Sequence, residues 1–170
     1  MLTDERRYDS IGQACGLTEE IIRTFGEVRL RVFGTSMAPS ILPGDLVSIE
    51  RAGLEDISPK EIVLYLRQGR LFVHRVVERK AAAAATGSEE AHLITRGDRL
   101  RHDDPPVSSA ELLGRVVSIE RDKRKVDLSG VESNHPLARL LRASDRLTYL
   151  YVRLAASWPA LFPRRAKCQA

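Results

Sequence analysis

The sequence predicts a mainly β fold from three observations. Short apolar-rich runs recur through the middle of the chain, Gly, Pro and Asp signals separate them, and no strand-helix-strand alternation interrupts the series. A sandwich or barrel-like arrangement is expected, with a short N-terminal helix and C-terminal amphipathic helices as additions. At 170 residues the chain reads as one domain, long enough to bury roughly 70% of its unfolded surface. Apolar residues make up 43% and charged residues 29%, which excludes global disorder.

The elements follow in order. Leu17 to Phe25 reads as a short helix, with Thr18 as N-cap, Glu19 and Glu20 in its first turn and Gly26 at its stop. Residues 1–27 form this N-terminal helical segment. Val28, Leu30 and Val32 then alternate with Arg29, Arg31 and Phe33, the period of a half-buried strand, and lead to Gly34. After the Pro43-Gly44-Asp45 turn come Leu46 to Ile49, Ile62 to Leu66, Leu71 to Val77, His92 to Thr95, Gly114 to Ile119 and Lys125 to Leu128. Residues 28–130 form this β domain. Ala81 to Glu90, alanine-rich and then polar, reads as a surface loop too short for a stable isolated helix.

Residues 131–170 form a C-terminal amphipathic segment. From Pro136 to Ala156, Leu137, Leu140, Leu141, Leu147, Leu150, Tyr151 and Leu154 interleave with Arg139, Arg142, Arg146 and Arg153. This is a basic amphipathic helix or helix pair. Such a stripe usually docks on its own domain; the alternatives are a membrane surface or an oligomer contact.

Composition narrows the function classes. The charge is +4 with pI near 9.3, but the basic residues are scattered beside acidic neighbours, so no nucleic-acid partner is expected. Cys15 and Cys168 are the only cysteines, and no CxxC or His/Cys cluster has ligand spacing. Neither metal, cofactor nor disulfide scaffold is expected. Met1 to Asp9 is charged and lacks the apolar core of a secretory signal, and no window reaches the ~18 apolar residues of a membrane span. A cytoplasmic location is expected, with peripheral membrane contact left open.

Ser36-Met37-Ala38-Pro39 sets a small hydroxyl at the end of a strand, between a glycine and a proline, where a side chain is displayed. A serine needs a base to take its proton before it is a useful nucleophile. His74 is the best candidate, because Phe72, His74 and Val76 share one face of their strand and Leu71, Val73, Arg75 and Val77 the other. His92, His102 and His135 sit in strand-edge or loop contexts. An acid that holds the second imidazole nitrogen improves such a base, and Thr95 to Asp104 offers Asp98, Asp103 and Asp104. The competing reading of this stretch is a solvated loop whose aspartates cap turns.

Taken in order, Ser36-Met37-Ala38-Pro39 with Gly44-Asp45, His74-Arg75-Val76-Val77, Thr95-Arg96-Gly97-Asp98 with Asp103-Asp104, and Gly114-Arg115-Val116-Val117 resemble the catalytic core of type I signal peptidases, over about residues 28–120. Bacterial members pair serine with lysine. The endoplasmic-reticulum and archaeal branch has histidine there, followed by Gly-Asp and Asp-Asp, and this chain is similar to that branch. The resemblance implies a signal-peptidase or LexA-like β fold, with Ser36 as nucleophile, His74 as general base, Asp104 as its orienting acid and Asp98 as a supporting carboxylate. Gly34, Thr35 and Met37 would flank the substrate and the oxyanion.

The resemblance further implies a serine endopeptidase that acts, without a cofactor, on an extended peptide or protein segment with small side chains near the cut. Lysine must be held far below its ordinary pKa to act as a base near neutrality, whereas histidine starts near ~6.5. Two features depart from the family. A membrane-spanning anchor precedes its nucleophile, where this chain has a short charged helix. Many members also carry an oxyanion-donating serine at the position of Gly34, so the oxyanion hole here would rest on backbone N–H groups, including that of Ser36. Two other readings use the same residues: a non-catalytic peptide-binding module, and a LexA-like self-cleaving regulator cut near Ala14-Cys15-Gly16.

Overall fold

A computed structural model of the chain describes residues 2–81, 90–126 and 136–157. The alanine-rich stretch 82–89, the end of the run to Leu128, the boundary at 130, His135, Cys168 and the approach to Phe162 lie outside the described residues. The elements are helix α1 (Leu2–Phe25), strands β1 (Glu27–Arg31), β2 (Leu46–Arg51), β3 (Ile62–Arg67), β4 (Arg70–Lys80), β5 (His92–Arg96), β6 (Leu112–Arg121) and β7 (Arg124–Val126), and helices α2 (Pro136–Ala143) and α3 (Asp145–Ser157). The protein is mainly β.

The seven strands form one antiparallel sheet in the order β1-β2-β6-β3-β4-β5, with β7 added to β6. The strands are continuous in hydrogen bonding, and both faces of the sheet are covered. The reason is legible in β3. Its run Ile62-Val63-Leu64-Tyr65 is buried on both faces, sending Ile62 and Leu64 into one apolar cluster and Val63 and Tyr65 into another. The first cluster is filled by Ile22 of α1 with Met37, Ile41, Val47 and Ile49. The second holds Leu54, Ile57, Val76, Leu93, Val107 and Leu112. Where β6 crosses β2, a Cβ on Gly114 would collide with the Glu50 carbonyl, so only glycine fits.

One boundary differs from expectation. The N-terminal helix begins at Leu2, upstream of Leu17, so Thr18 does not cap it. Thr18 Oγ1 donates to the Ala14 carbonyl one turn back, 2.9 Å away, and the helix runs through it. The stop is as expected: Gly26 has φ of 80° and its N–H donates to the Ile22 carbonyl at 3.0 Å. The C-terminal stripe is a helix pair broken at Ser144, and it docks on the domain. Leu141, with Leu137, Tyr151, Val152 and Ala155, packs on Ala38 and Leu42, and the full burial of a leucine such as Leu141 stabilises by ~1.5–3 kcal/mol. None of the described helices is long and apolar enough to cross a membrane.

Candidate active site

Ser36 lies in an excursion from the β1–β2 hairpin. The hairpin closes beneath it, with Val32 N donating to Asp45 O at 2.9 Å and Gly44 N to Val32 O at 2.7 Å. Gly44, at φ of 97°, permits the return turn. Asp45 is buried and tied to the Arg121 guanidinium by contacts of 2.8 and 2.6 Å, and it accepts the Leu42 N–H at 2.8 Å. Burial pulls the Arg121 guanidinium down, but its bonds to Asp45 outweigh this and raise it. Within the excursion Met37 and Ile41 sink into the first cluster while Ala38 and Leu42 pack against Leu141 of the C-terminal helix pair. Ser36 is left half-buried with its hydroxyl turned toward β4.

A second loop grips the serine backbone. Arg99 N donates to the Ser36 carbonyl at 2.9 Å, and a Cβ on Gly97 would stand 2.8 Å from that same oxygen. Gly97 is therefore a close-approach glycine. Arg99 also reaches the Thr35 hydroxyl, through Nη2 at 3.5 Å.

His74 stands on the Phe72 and Val76 face of β4, 4% exposed, with its ring edge-on to Tyr65 and Phe72. Its Nε2 is 3.0 Å from Ser36 Oγ, and its Nδ1 is 2.6 Å from Asp104 Oδ2. The same Oδ2 accepts from the Thr95 hydroxyl at 2.7 Å and the Tyr65 hydroxyl at 3.2 Å. Asp104 N donates to Thr95 O at 2.8 Å, which fixes the carboxylate on the strand end.

These contacts set the protonation pattern. Burial pushes the Asp104 carboxyl up, but bonds from His74, Thr95 and Tyr65 outweigh it and hold the group below its ordinary value. Burial foremost, helped by the Asp104 charge, pushes the Tyr65 phenol to about 12, so it stays a donor. An ionised Asp104 can only accept, so Nδ1 must carry the hydrogen. Nε2 then presents its lone pair to the Ser36 hydroxyl.

Ser36, His74 and Asp104 are thus brought together as expected, and Asp98 is not. Its carboxylate accepts Nε and Nη2 of Arg75 at 2.7 and 2.8 Å and the Ser40 hydroxyl, with both ion-pair partners buried. Asp98 supports the scaffold rather than the histidine, because Arg75 leaves β4 on the face opposite His74. Asp103 makes an exposed ion pair with Arg96. The Met37 side chain is 2% exposed and fills the core, so a substrate would meet its backbone and not its side chain. Gly34 is exposed, and a Cβ there would meet nothing within 4 Å. Among the described residues the Ser36 and Met37 amides donate no backbone hydrogen bond, which leaves them available for an oxyanion.

Four supporting residues escaped the sequence reading. Tyr65 and Thr95 brace Asp104, Arg75 neutralises Asp98, and Arg67 secures the turn beyond Asp104. The Arg67 guanidinium binds both Glu111 oxygens at 2.6 and 2.8 Å and the Pro105 and Pro106 carbonyls at 3.0 and 2.7 Å, while lying over the Tyr65 ring. Arg75 had a signal. An arginine inside an apolar strand calls for a buried acid. Among the described residues no group of three His, Cys, Asp or Glu side chains could hold a metal ion. Ala14-Cys15-Gly16 lies within α1, where its peptide groups are helical and Cys15 is buried.

No family model matches the chain, and no curated protein does.

Proposed function

We propose that this protein is a serine endopeptidase that cleaves an extended peptide through an acyl-enzyme. The observation that carries the reading is the continuous relay Asp104 Oδ2, His74 Nδ1, His74 Nε2, Ser36 Oγ, with contacts of 2.6 and 3.0 Å. The order and spacing of the motifs, which resemble the serine-histidine branch of type I signal peptidases, support it as well.

In this mechanism Ser36 Oγ attacks the scissile carbonyl carbon while Nε2 takes the hydroxyl proton. Asp104 stabilises the imidazolium and holds its ring. The oxyanion forms within reach of the Ser36 and Met37 amides; one such donor is worth ~10²–10³ in rate. Collapse breaks the C–N bond as His74 returns the proton to the departing amine. Water, deprotonated by His74, then hydrolyses the ester and restores Ser36. The substrate would lie along β1, a terminal strand of the sheet whose chain continues into the Ser36 excursion. Self-cleavage at Ala14-Cys15-Gly16 is disfavoured, because a helical segment does not offer an extended bond.

A fluorophosphonate probe tests the reading. The wild-type chain is expected to be labelled at Ser36, with no labelling in Ser36→Ala and strongly slowed labelling in His74→Ala. The wild-type chain should also cut members of a peptide mixture that Ser36→Ala leaves intact. A folded wild-type chain that binds peptide but neither reacts nor cuts would be a binding module instead.

A further inference from the structure

Helix α3 has two faces with different fates. Thr148, Tyr151, Val152 and Ala155 turn inward, toward α2 and the 38–42 segment. Leu147, Leu150 and Leu154 remain outside, and Leu150 and Leu154 are 52% and 45% exposed. Arg146, Tyr149 and Arg153 stand exposed beside them. The helix is already anchored by its inner face, so folding does not require this outer leucine row. A contiguous exposed row of this kind marks a contact surface.

Charge identifies what it contacts. Residues 145–170, which are α3 and the sequence that follows it, contain five of the chain's 27 basic residues and one of its 23 acidic ones, Asp145 at the first position of α3, leaving 22 basic against 22 acidic in residues 1–144. The whole positive excess of the protein is therefore carried by α3 and the sequence that follows it. That following sequence contains Trp158, Leu161 and Phe162 ahead of Arg164, Arg165 and Lys167. Leucines and aromatics interleaved with arginine, with no acid after Asp145, match an interfacial helix on an anionic bilayer. A second copy is a poorer occupant, since two such faces would bring like charges together.

We propose that the outer face of α3 docks lengthwise on an anionic membrane surface. Leu147, Leu150 and Leu154 enter the boundary between headgroups and acyl chains, and Arg146 and Arg153 lie among the anionic headgroups. The inner face of the helix pair packs on Ala38 and Leu42, so docking would hold the Ser36 loop one helix diameter, on the order of 10 Å, from the lipid. This inference does not depend on catalysis.

The test is sedimentation of the full chain with vesicles of phosphatidylcholine alone or with about a third phosphatidylglycerol. Partition is expected to be at least about tenfold stronger on the anionic vesicles and to weaken as salt is raised. Arg146→Gln with Arg153→Gln should cost about tenfold or more on anionic vesicles. Leu150→Gln with Leu154→Gln should abolish most of the binding while circular dichroism stays unchanged, since both sites are exposed. Three results would overturn the proposal: no partition of the wild-type chain, equal partition of the leucine variant, or a dimer in light scattering that the leucine variant dissolves.

Discussion

Asp98 and Asp104 stand six residues apart on one loop and have opposite environments. Asp98 is sealed against the bidentate guanidinium of Arg75 and the hydroxyl of Ser40, so its charge is spent inside the scaffold. Asp104 accepts from neutral hydroxyls and from one imidazole nitrogen, so its charge remains available when that imidazole becomes cationic. The contrast teaches that the partner, not the residue type, decides whether a carboxylate's charge is locked into the scaffold or held beside a group that can gain a proton. An arginine neutralises permanently; a histidine lets the charge act only while the proton is in transit.

The largest effect should come from Asp104. Under the proposed mechanism, Asp104→Asn is expected to lower peptide turnover by ~10⁴, because the amide no longer fixes the donor at Nδ1. Its unfolding midpoint should move little. A variant that loses stability but keeps turnover would exchange the two roles assigned here.

Asp98 should behave in the reverse way. Asp98→Ala leaves the Arg75 guanidinium buried without its carboxylate and should cost ~3–5 kcal/mol in urea unfolding. Replacing the pair together, Arg75→Met with Asp98→Leu, should recover most of that loss, because the cost lies in the abandoned charge. If the double variant is as unstable as the single one, the bidentate pair is not what Asp98 supplies.

Thr95→Val sharpens the comparison on the side of the proposed relay. It removes one of the hydroxyl donors to Asp104 Oδ2 and should cost ~1–2 kcal/mol, read as roughly tenfold in turnover. Tyr65→Phe should cost less, since that contact is longer, at 3.2 Å. An effect of Tyr65→Phe larger than that of Thr95→Val would shift the main support of Asp104 to the phenol.

The smallest effect is a pH dependence of stability from the Arg67 and Glu111 clamp. Bonding to Arg67 holds the Glu111 carboxyl at about 2, against an ordinary value of 4.5. A carboxyl lowered by folding contributes stability that is fully present above its ordinary value and is lost as pH falls toward the folded one. The midpoint of thermal unfolding should therefore decline between pH 4.5 and about 2, and Glu111→Gln should flatten part of that decline. An unchanged slope in the variant would remove Glu111 from the acid limb.

Most strands were legible because they carry an apolar run or, in β1, an apolar-polar alternation, and β3 is apolar on both faces because both are covered. Ser36 and His74 were legible for a related reason: each is polar where its neighbours argue for display or burial. The choice between Asp98 and Asp104 was not legible, because spacing along a turn does not say on which side of the sheet a carboxylate lands. The burial of the Met37 side chain was not legible either, because only the course of the excursion turns it into the core. The start of α1 was hidden by Thr18, whose hydroxyl could cap a new helix or bond back within an existing one.

The sequence by itself determined the mainly β composition, the stop at Gly26, the face of β4 that bears His74, and the candidate trio of hydroxyl, imidazole and carboxylate. All of these follow from local periodicity and from the chemistry of single side chains. Only the tertiary structure decided that Asp104 meets His74 while Asp98 meets Arg75, and that the C-terminal helices back the Ser36 loop. Those pairings join residues 23 to 30 positions apart within the sheet, or a remote helix pair to a loop. They depend on strand register and on which side of the sheet is buried, and neither is encoded in any one segment.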